Sequence, residues 1–244
     1  MYRFSMAAAL LVSTVALDAA SAQTPAAKPA DLSFTGELGY VSATGNTQLS
    51  TVNAGDKIVY TSGHWLVTQT AAYIQGQTKG VESANQFLVT GRVDRALASR
   101  ASAFVGASYE RNPFAGFTRR TNELLGFRWK AVQAPQDSLS LDAGGVLTQQ
   151  LDVSDSSENF PAARVAASYK HAFSKAAYFQ EQAEYLPDLK TGGAYRINAT
   201  SALVAPISAH IGIKVGYVVQ YNSRPPATFG TTDRTVTTGI QITY

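Results

Sequence analysis

The three histidines are the first residues to test for chemistry, because histidine is the commonest general base in enzymes. His64, His171 and His210 lie far apart, and none has a serine and an acid spaced to build a catalytic triad. The chain has no cysteine, which excludes a thiol nucleophile and a thiolate metal site. We therefore expect no catalytic residue, and we interpret the histidines as interfacial or turn-capping side chains.

The sequence also lacks the common motifs for binding metals and nucleotides. The sequence has no HExxH, no P-loop and no glycine-rich fingerprint between a strand and a helix. The acidic stretch from Asp152 to Glu158 lacks the glycine and the terminal bidentate acid of a calcium loop, so we interpret it as a solvated loop. We predict no metal and no cofactor.

The densest basic cluster is Arg119 and Arg120, with Arg111 nearby. It either forms an ordinary solvated hairpin or, beside an outward loop, contacts lipopolysaccharide phosphates through its guanidinium groups. The chain is only 15% charged, with a net charge of +3, and lacks a basic patch with interleaved aromatics. Nucleic acid is therefore not expected as a partner.

The N-terminus has the form of a secretory signal peptide. One cation, Arg3, precedes an apolar stretch from Ala7 to Leu17, and a small-residue cleavage site ends at Ala22. The sequence predicts a signal peptide over residues 1–22, an extended lead-in over 23–31 and one β domain over 32–244.

The chain from Asp31 onward follows a period of two residues, which is the pattern of β-strands. About twelve segments have one apolar and one polar face, and most span about 11–14 residues, long enough for a tilted membrane-spanning strand. Connections after odd-numbered strands are interpreted as longer and more polar than those after even-numbered ones. Long loops at one end and short turns at the other are typical of outer-membrane barrels. The predicted fold is an all-β, up-and-down antiparallel transmembrane β-barrel of about twelve strands, with both termini at the short-turn, periplasmic end.

The two faces of the strands predict a wet interior and a lipid-facing exterior. Charges are sparse on the polar faces, and we predict that twelve of them line a lumen: Glu37, Lys57, Arg92, Asp94, Glu110, Arg128, Lys130, Asp142, Arg164, Lys170, Arg196 and Lys214. The apolar faces carry aromatic residues near their ends, as interfacial girdles do: Tyr40, Tyr60, Trp65, Tyr73, Trp129, Tyr169, Tyr185, Tyr221 and Tyr244. Asp56 and Glu181 also fall on apolar faces.

Several segments resemble a known family. The segment Gly36–Thr47 is similar to the opening strand and Gly-Asn-Thr turn of the DUF481 family, the YdiY-like salt-induced outer-membrane proteins. The segment Tyr109–Arg120, the following Leu125-Gly126-Phe127 and the last strand after Asp233 resemble later parts of the family, although Asn112-Pro113-Phe114 departs from its pattern. The resemblance spans about residues 32–244 and implies an outer-membrane barrel without established activity.

Two functions remain open at this point. The first is a narrow passive pore, favouring anions because eight of the twelve predicted lumen charges are cationic. The second is a non-conducting structural protein of the envelope under salt or osmotic stress, with a lumen filled by crossed charge pairs. An outer-membrane enzyme and a soluble sandwich are weaker alternatives. The expected partners are outer-membrane lipid, lipopolysaccharide and the barrel-assembly machinery, which would recognise the last strand ending at Tyr244.

Overall fold

A computed structural model of the protein describes residues 31–43, 49–226 and 228–244. The predicted signal peptide, and the lead-in up to residue 30, lie outside the described residues. The strands are β1 (Asp31–Ala43), β2 (Leu49–Ser62), β3 (Trp65–Thr78), β4 (Val81–Ala96), β5 (Ala101–Asn112), β6 (Phe117–Gln133), β7 (Asp137–Asp152), β8 (Ser157–Ala172), β9 (Tyr178–Pro187), β10 (Tyr195–Pro206), β11 (Ile211–Asn222) and β12 (Thr232–Thr243). A single 3-10 turn, Pro113–Ala115, joins β5 to β6.

The strands form one closed barrel in which each strand pairs antiparallel with its neighbours in sequence, and β12 pairs with β1. This confirms the predicted fold class and strand number. Closure gives every strand two partners, so the sheet keeps no free edge of the kind that drives aggregation. Within the described part of the chain, no helix is both long and apolar enough to cross a membrane.

The connections differ less in length than the sequence predicts. β7 runs to Asp152 and β8 begins at Ser157, so only four residues connect them and the predicted long loop there is wrong. Lys79 and Gly80 alone join β3 to β4, and both adopt the positive φ that a tight two-residue hairpin requires. The longest described connections, after β9 and β11, do lie at the end away from the termini. We call that end the long-loop end and the opposite one the short-turn end.

The exterior of the barrel is apolar. The register aligns the residues that face outward, as in the row Leu38, Ala54 and Tyr73 across β1, β2 and β3. Large outward side chains are well exposed, including Leu125, Phe127 and Ile213. All nine aromatics of the predicted girdles lie on this face by register. A closed sheet with an apolar exterior is a structure that lipid can surround, because the antiparallel ladders satisfy the backbone hydrogen bonds of the wall internally.

A pair of glycines brings two strands together inside the wall. Gly126 on β6 and Gly144 on β7 are register partners that face inward. A Cβ on Gly144 would lie 2.1 Å from the carbonyl oxygen of Leu125, and one on Gly126 would lie 2.8 Å from Cζ of Phe104. These two positions therefore need glycine, and the missing side chains leave the space that the Phe104 ring fills.

The seam between the first and last strands is short. β1 and β12 pair over four positions, from Thr35 with Thr243 to Leu38 with Ile240. By contrast, β7 pairs with β8 over fifteen positions. The terminal residue extends the seam slightly, since Tyr244 and Phe34 exchange two backbone hydrogen bonds of 2.8 and 2.9 Å. The barrel is thus closed by its shortest ladder.

Candidate functional site: the lumen of the barrel

The register places all twelve predicted lumen residues on the inward face of the wall. Most of them contact one another or other inward polar groups. The contacts form two layers, one near mid-height and one towards the long-loop end. That these residues line a conducting pore stays a prediction.

Asp142 is the centre of the layer at mid-height, which we call the central belt. Its carboxylate is only 4% exposed and accepts hydrogen bonds from Arg92 at 2.6 Å, from Arg128 at 2.7 and 3.0 Å, and from Arg164 at 3.3 Å. Arg92 belongs to β4 and Asp142 to β7, so this contact crosses the lumen rather than following neighbouring strands. Three guanidinium groups on one buried carboxylate tie together four strands of the wall.

The central belt continues on both sides of Asp142. Arg92 also pairs with Asp94 at 2.6 Å and lies 3.6 Å from the centre of the Phe104 ring, a cation–π contact. Arg164 pairs with Glu184 at 2.9 Å, and Glu184 accepts from Asn198 on β10 at 2.7 Å. The belt therefore runs from β4 to β10 through alternating charges, so the guanidinium groups of Arg92 and Arg164 each have two acidic partners.

Glu110 is the centre of the second layer, which we call the outer plug. The carboxylate on β5 accepts from Gln86 on β4 at 3.0 Å and from Gln220 on β11 at 3.3 Å. β5 and β11 are six strands apart in a closed barrel of twelve and hence belong to opposite sides of the wall. Side chains from opposite walls thus meet here, and Glu110 is only 6% exposed.

Buried side chains fill the rest of the outer plug. Arg120 lies 3.6 Å from Glu110, at the same distance from the Phe117 ring centre, and donates to Gln150 at 2.7 Å. Arg196 on β10 donates to Thr148 on β7 at 2.9 Å, a second contact across the lumen. Thr148 and Phe117 are fully buried. The long-loop half of the lumen is therefore packed.

The short-turn half of the lumen is more cationic. Lys57, Lys130 and Lys170 are exposed there. Lys170 lies over the Tyr178 ring at 4.1 Å, and Lys214 pairs with Glu37 at 2.5 Å, which links β11 to β1 across β12. Tyr178 on β9 also donates to Gln241 on β12 at 3.1 Å, so crossed contacts occur in this half as well. The two halves of the lumen differ in their cations, because Lys57, Lys130 and Lys170 belong to no ion pair among the described residues.

Two sequence interpretations of the polar residues are wrong. Arg120 does not share the surface of Arg119, because β6 begins at Phe117 and turns Arg120 into the outer plug. Asp152 does not belong to a solvated loop, because it ends β7 inside the barrel and accepts from Gln150 at 2.6 Å. At Asp152 the strand extends further than expected, and for both residues the two-residue period indicates the inward face.

The prediction also missed inward acids. Glu184 faces Asn198 inside the barrel, and the register turns four further acids inward, namely Asp31, Asp152, Glu158 and Asp233. With Arg120 added to the cations, the cationic excess of the predicted set disappears. The basis for anion preference along the whole lumen is correspondingly weak, and only the short-turn half keeps it.

The histidines lie outside both layers, at the short-turn end. His171 contacts Asp137 at 2.9 Å, and His210 stacks on Tyr244 with ring centres 5.4 Å apart. His64 is in the two-residue turn between β2 and β3. Over the ranges that the structure describes, no group of three or more acidic or histidine side chains is arranged to hold a metal ion.

Comparison with known proteins identifies the family of this chain. A family model described as "Protein of unknown function, DUF481" matches residues 36–244. The chain belongs to the DUF481 family. One relative of this DUF481 protein is the "Uncharacterized protein YdiY" of Escherichia coli (strain K12), 26% identical over 222 residues, which cover 88% of this chain and 81% of the relative.

Two solved structures illustrate the likeness of fold. The translocator domain of autotransporter NalP from Neisseria meningitidis is 12% identical, with a TM-score of 0.48 and 86% of each chain covered. The NanC porin is 11% identical, with a TM-score of 0.47, covering 87% of the DUF481 chain and 98% of the porin. Neither assigns a function to this DUF481 protein.

The exterior and the closed topology give the location of the DUF481 chain. Antiparallel barrels with an apolar outer face, aromatic girdles and a polar interior span outer membranes of the bacterial type. The protein is accordingly an outer-membrane β-barrel.

Proposed function

We propose that the protein is a non-conducting outer-membrane barrel with a structural role in the envelope. The observation that carries the proposal is the contact between Glu110 and Gln220, which joins opposite walls of the lumen. A conducting pore needs a continuous wet path, and here side chains from opposite strands meet near the long-loop end. Crossed charge pairs are the arrangement expected of a filled barrel.

The ion pairs suit a structural role because they link strands that share no backbone hydrogen bonds. Arg92 and Asp142 join β4 to β7, and Lys214 and Glu37 join β11 to β1. Breaking a buried pair leaves an uncompensated charge and costs about 3–5 kcal/mol. Such links oppose flattening or opening of the wall when osmotic stress deforms the membrane.

In this proposal the signal peptide over residues 1–22 is removed, the short-turn end with both termini faces the periplasm, and the assembly machinery recognises the strand ending at Tyr244. The long-loop end then faces lipopolysaccharide. Arg111 and Arg119 remain on the outward face near that end, where their guanidinium groups can meet lipid phosphates.

The narrow anion pore is the second candidate. The exposed ammonium groups of Lys57, Lys130 and Lys170 favour it, since they give the short-turn half a cationic lining. Conduction would then require the outer plug to move aside. In that case Glu110 and Gln220 would separate, and anions would meet the lysines only after passing the plug.

Single-channel recording of the refolded mature protein in planar bilayers tests the proposal. We expect no discrete conductance steps from a barrel that runs as a compact, heat-modifiable band. A Glu110→Ala, Arg120→Ala double variant removes the centre of the outer plug and is expected to conduct. Lys130→Gln is the matched control, because Lys130 lies in the lumen outside the plug. Discrete anion-selective steps from the unmodified protein, weakened by Lys130→Glu, would overturn the structural role and support the pore.

A further inference from the structure

Three lysines in the short-turn half of the lumen have no acidic partner. Lys57 on β2, Lys130 on β6 and Lys170 on β8 are exposed, and the ion pairs of the described residues include none of them. The three arginines of the central belt, by contrast, each bind at least one carboxylate. Charges that only fill a barrel are neutralised by the chain itself, so these lysines indicate a ligand from outside.

Lys57 and Lys170 approach each other from opposite sides of the wall. Their strands, β2 and β8, are six positions apart in the closed barrel of twelve. The two ammonium groups are nevertheless close enough to repel each other, and Arg128 and Lys214 repel Lys57 as well. An anion between the two lysines removes this repulsion and replaces it with two attractions. The arrangement therefore favours a shared counter-ion.

The acids of this half of the lumen do not neutralise the two lysines. Glu37 attracts Lys57, but its carboxylate forms a salt bridge of 2.5 Å with Lys214. Asp142 is already shared by the arginines of the central belt. Asp31 faces inward at the rim, where β1 begins, and pairs with no cation in the part of the chain that the structure describes. An excess of positive charge therefore remains between β2 and β8.

Hydroxyl and amide groups lie beside both lysines on the inward face. The register neighbours of the two lysines are Thr35, Thr70, Ser138 and Gln180. Such groups donate hydrogen bonds to an oxyanion without cancelling the charge of the lysines. Lysine binds phosphate as a compact point charge, whereas the planar fork of arginine matches a carboxylate. In the central belt the arginines bind carboxylates of the chain itself, which leaves the lysines for a phosphate group.

We propose that Lys57 and Lys170 bind a small phosphate-bearing anion between them. Lys170 lies near the short-turn end of β8 and Lys57 lies deeper along β2, so the two cations lead inward from the short-turn opening. Lys130, near the same end of β6, adds to the attraction at the entrance. The direction of entry rests on the non-conducting lumen proposed above, because the outer plug lies at the opposite end. The lysines then retain an anion rather than pass it through the membrane.

Isothermal titration calorimetry of the refolded mature protein with inorganic pyrophosphate tests the site. We expect saturable binding of one ion per chain, weakened about tenfold by Lys57→Gln and by Lys170→Gln, because each variant removes one of two attractions. Lys175→Gln is the matched control, since Lys175 lies at the same end but in the turn between β8 and β9. The heat-modifiable band of each variant verifies the folded barrel. No binding by the natural chain, or equal weakening by all three variants, would overturn the site.

The same titration separates the class of anion. Malonate, a dicarboxylate, is expected to bind about tenfold more weakly than pyrophosphate, and equal binding would contradict a phosphate site. Glucose 1-phosphate is the second phosphate ligand, and the tighter of the two phosphates shows whether the group is free or esterified.

The site and the closed lumen fail in different ways. The Glu110→Ala, Arg120→Ala variant is expected to bind pyrophosphate as the natural chain does, because it alters only the outer plug, and a loss of binding would place the anion in the plug and overturn the site. A natural chain that conducts in planar bilayers and still binds through Lys57 would refute the closed lumen and keep the site. A silent barrel that binds no pyrophosphate would refute the site alone.

Discussion

Replacing Asp142 by asparagine is expected to destabilise the barrel because it leaves one guanidinium group, that of Arg128, without an acidic partner. The substitution keeps the shape of the side chain and removes the charge that Arg92, Arg128 and Arg164 share. Arg92 keeps its ion pair with Asp94 after the substitution, so the three arginines do not lose the same amount of stabilisation.

The magnitude follows from which cations keep an acidic partner. Arg164 still has Glu184 at 2.9 Å after the substitution. Arg128 loses the carboxylate that accepts both of its hydrogen bonds, and its side chain is 23% exposed, so water can relieve only part of the cost. Since breaking a buried pair costs about 3–5 kcal/mol, we expect a loss of about 3 kcal/mol in the free energy of unfolding.

Equilibrium urea unfolding in lipid vesicles measures this loss, with fluorescence from the two tryptophans of the chain, Trp65 and Trp129. Lys130→Gln is the control, because it removes a lumen charge that belongs to no ion pair in the described structure. Adding Arg128→Gln to Asp142→Asn is expected to recover part of the stability, since it removes the unpaired cation. A loss below about 0.5 kcal/mol for Asp142→Asn, or a double variant whose loss equals the sum of the single ones, would refute the reasoning.

Two further predictions concern single positions and their immediate neighbours. Arg120→Ala is expected to lower the free energy of unfolding by about 3 kcal/mol, because it breaks a buried ion pair and a cation–π contact. In the same urea titration, Arg119→Ala on the exposed outer face is expected to change the free energy of unfolding by less than about 0.5 kcal/mol. Gly144→Ala is expected to cost about 1–3 kcal/mol, because its Cβ would meet a neighbouring backbone oxygen, and to lower the temperature at which the folded band is lost on gels. Gly145→Ala meets nothing closer than 3.9 Å and is expected to behave as the natural chain.

The alternation of side chains predicted which face each lumen residue takes, because a two-residue period follows from strand geometry alone. Arg128 and Lys130 face inward for that reason, as does Asp142 on the next strand. Where a polar cluster suggested a loop, the same rule was not applied, and the outer-plug positions of Arg120 and Asp152 were missed.

The partners inside the lumen could not be predicted from the pattern. Asp142 meets Arg92 although β4 and β7 share no backbone hydrogen bonds, and Glu110 meets Gln220 although β5 and β11 lie on opposite sides of the closed twelve-strand sheet. These contacts depend on the diameter and the register of the whole sheet, whereas alternation describes one strand at a time. The alternation of side chains alone is thus compatible with an open pore as well as with a filled lumen.

The short ladder between β1 and β12 affects the order in which the protein assembles. Contacts between neighbouring strands form from nearby parts of the chain, whereas the seam joins its two ends and needs the largest loop to close. Its four register pairs provide few hydrogen bonds, so the seam is not expected to hold the two ends of the chain together before the other eleven ladders have formed. We therefore expect the barrel to close from a curved open sheet whose edge strands are β1 and β12, with the pairs from Thr35 to Leu38 forming last.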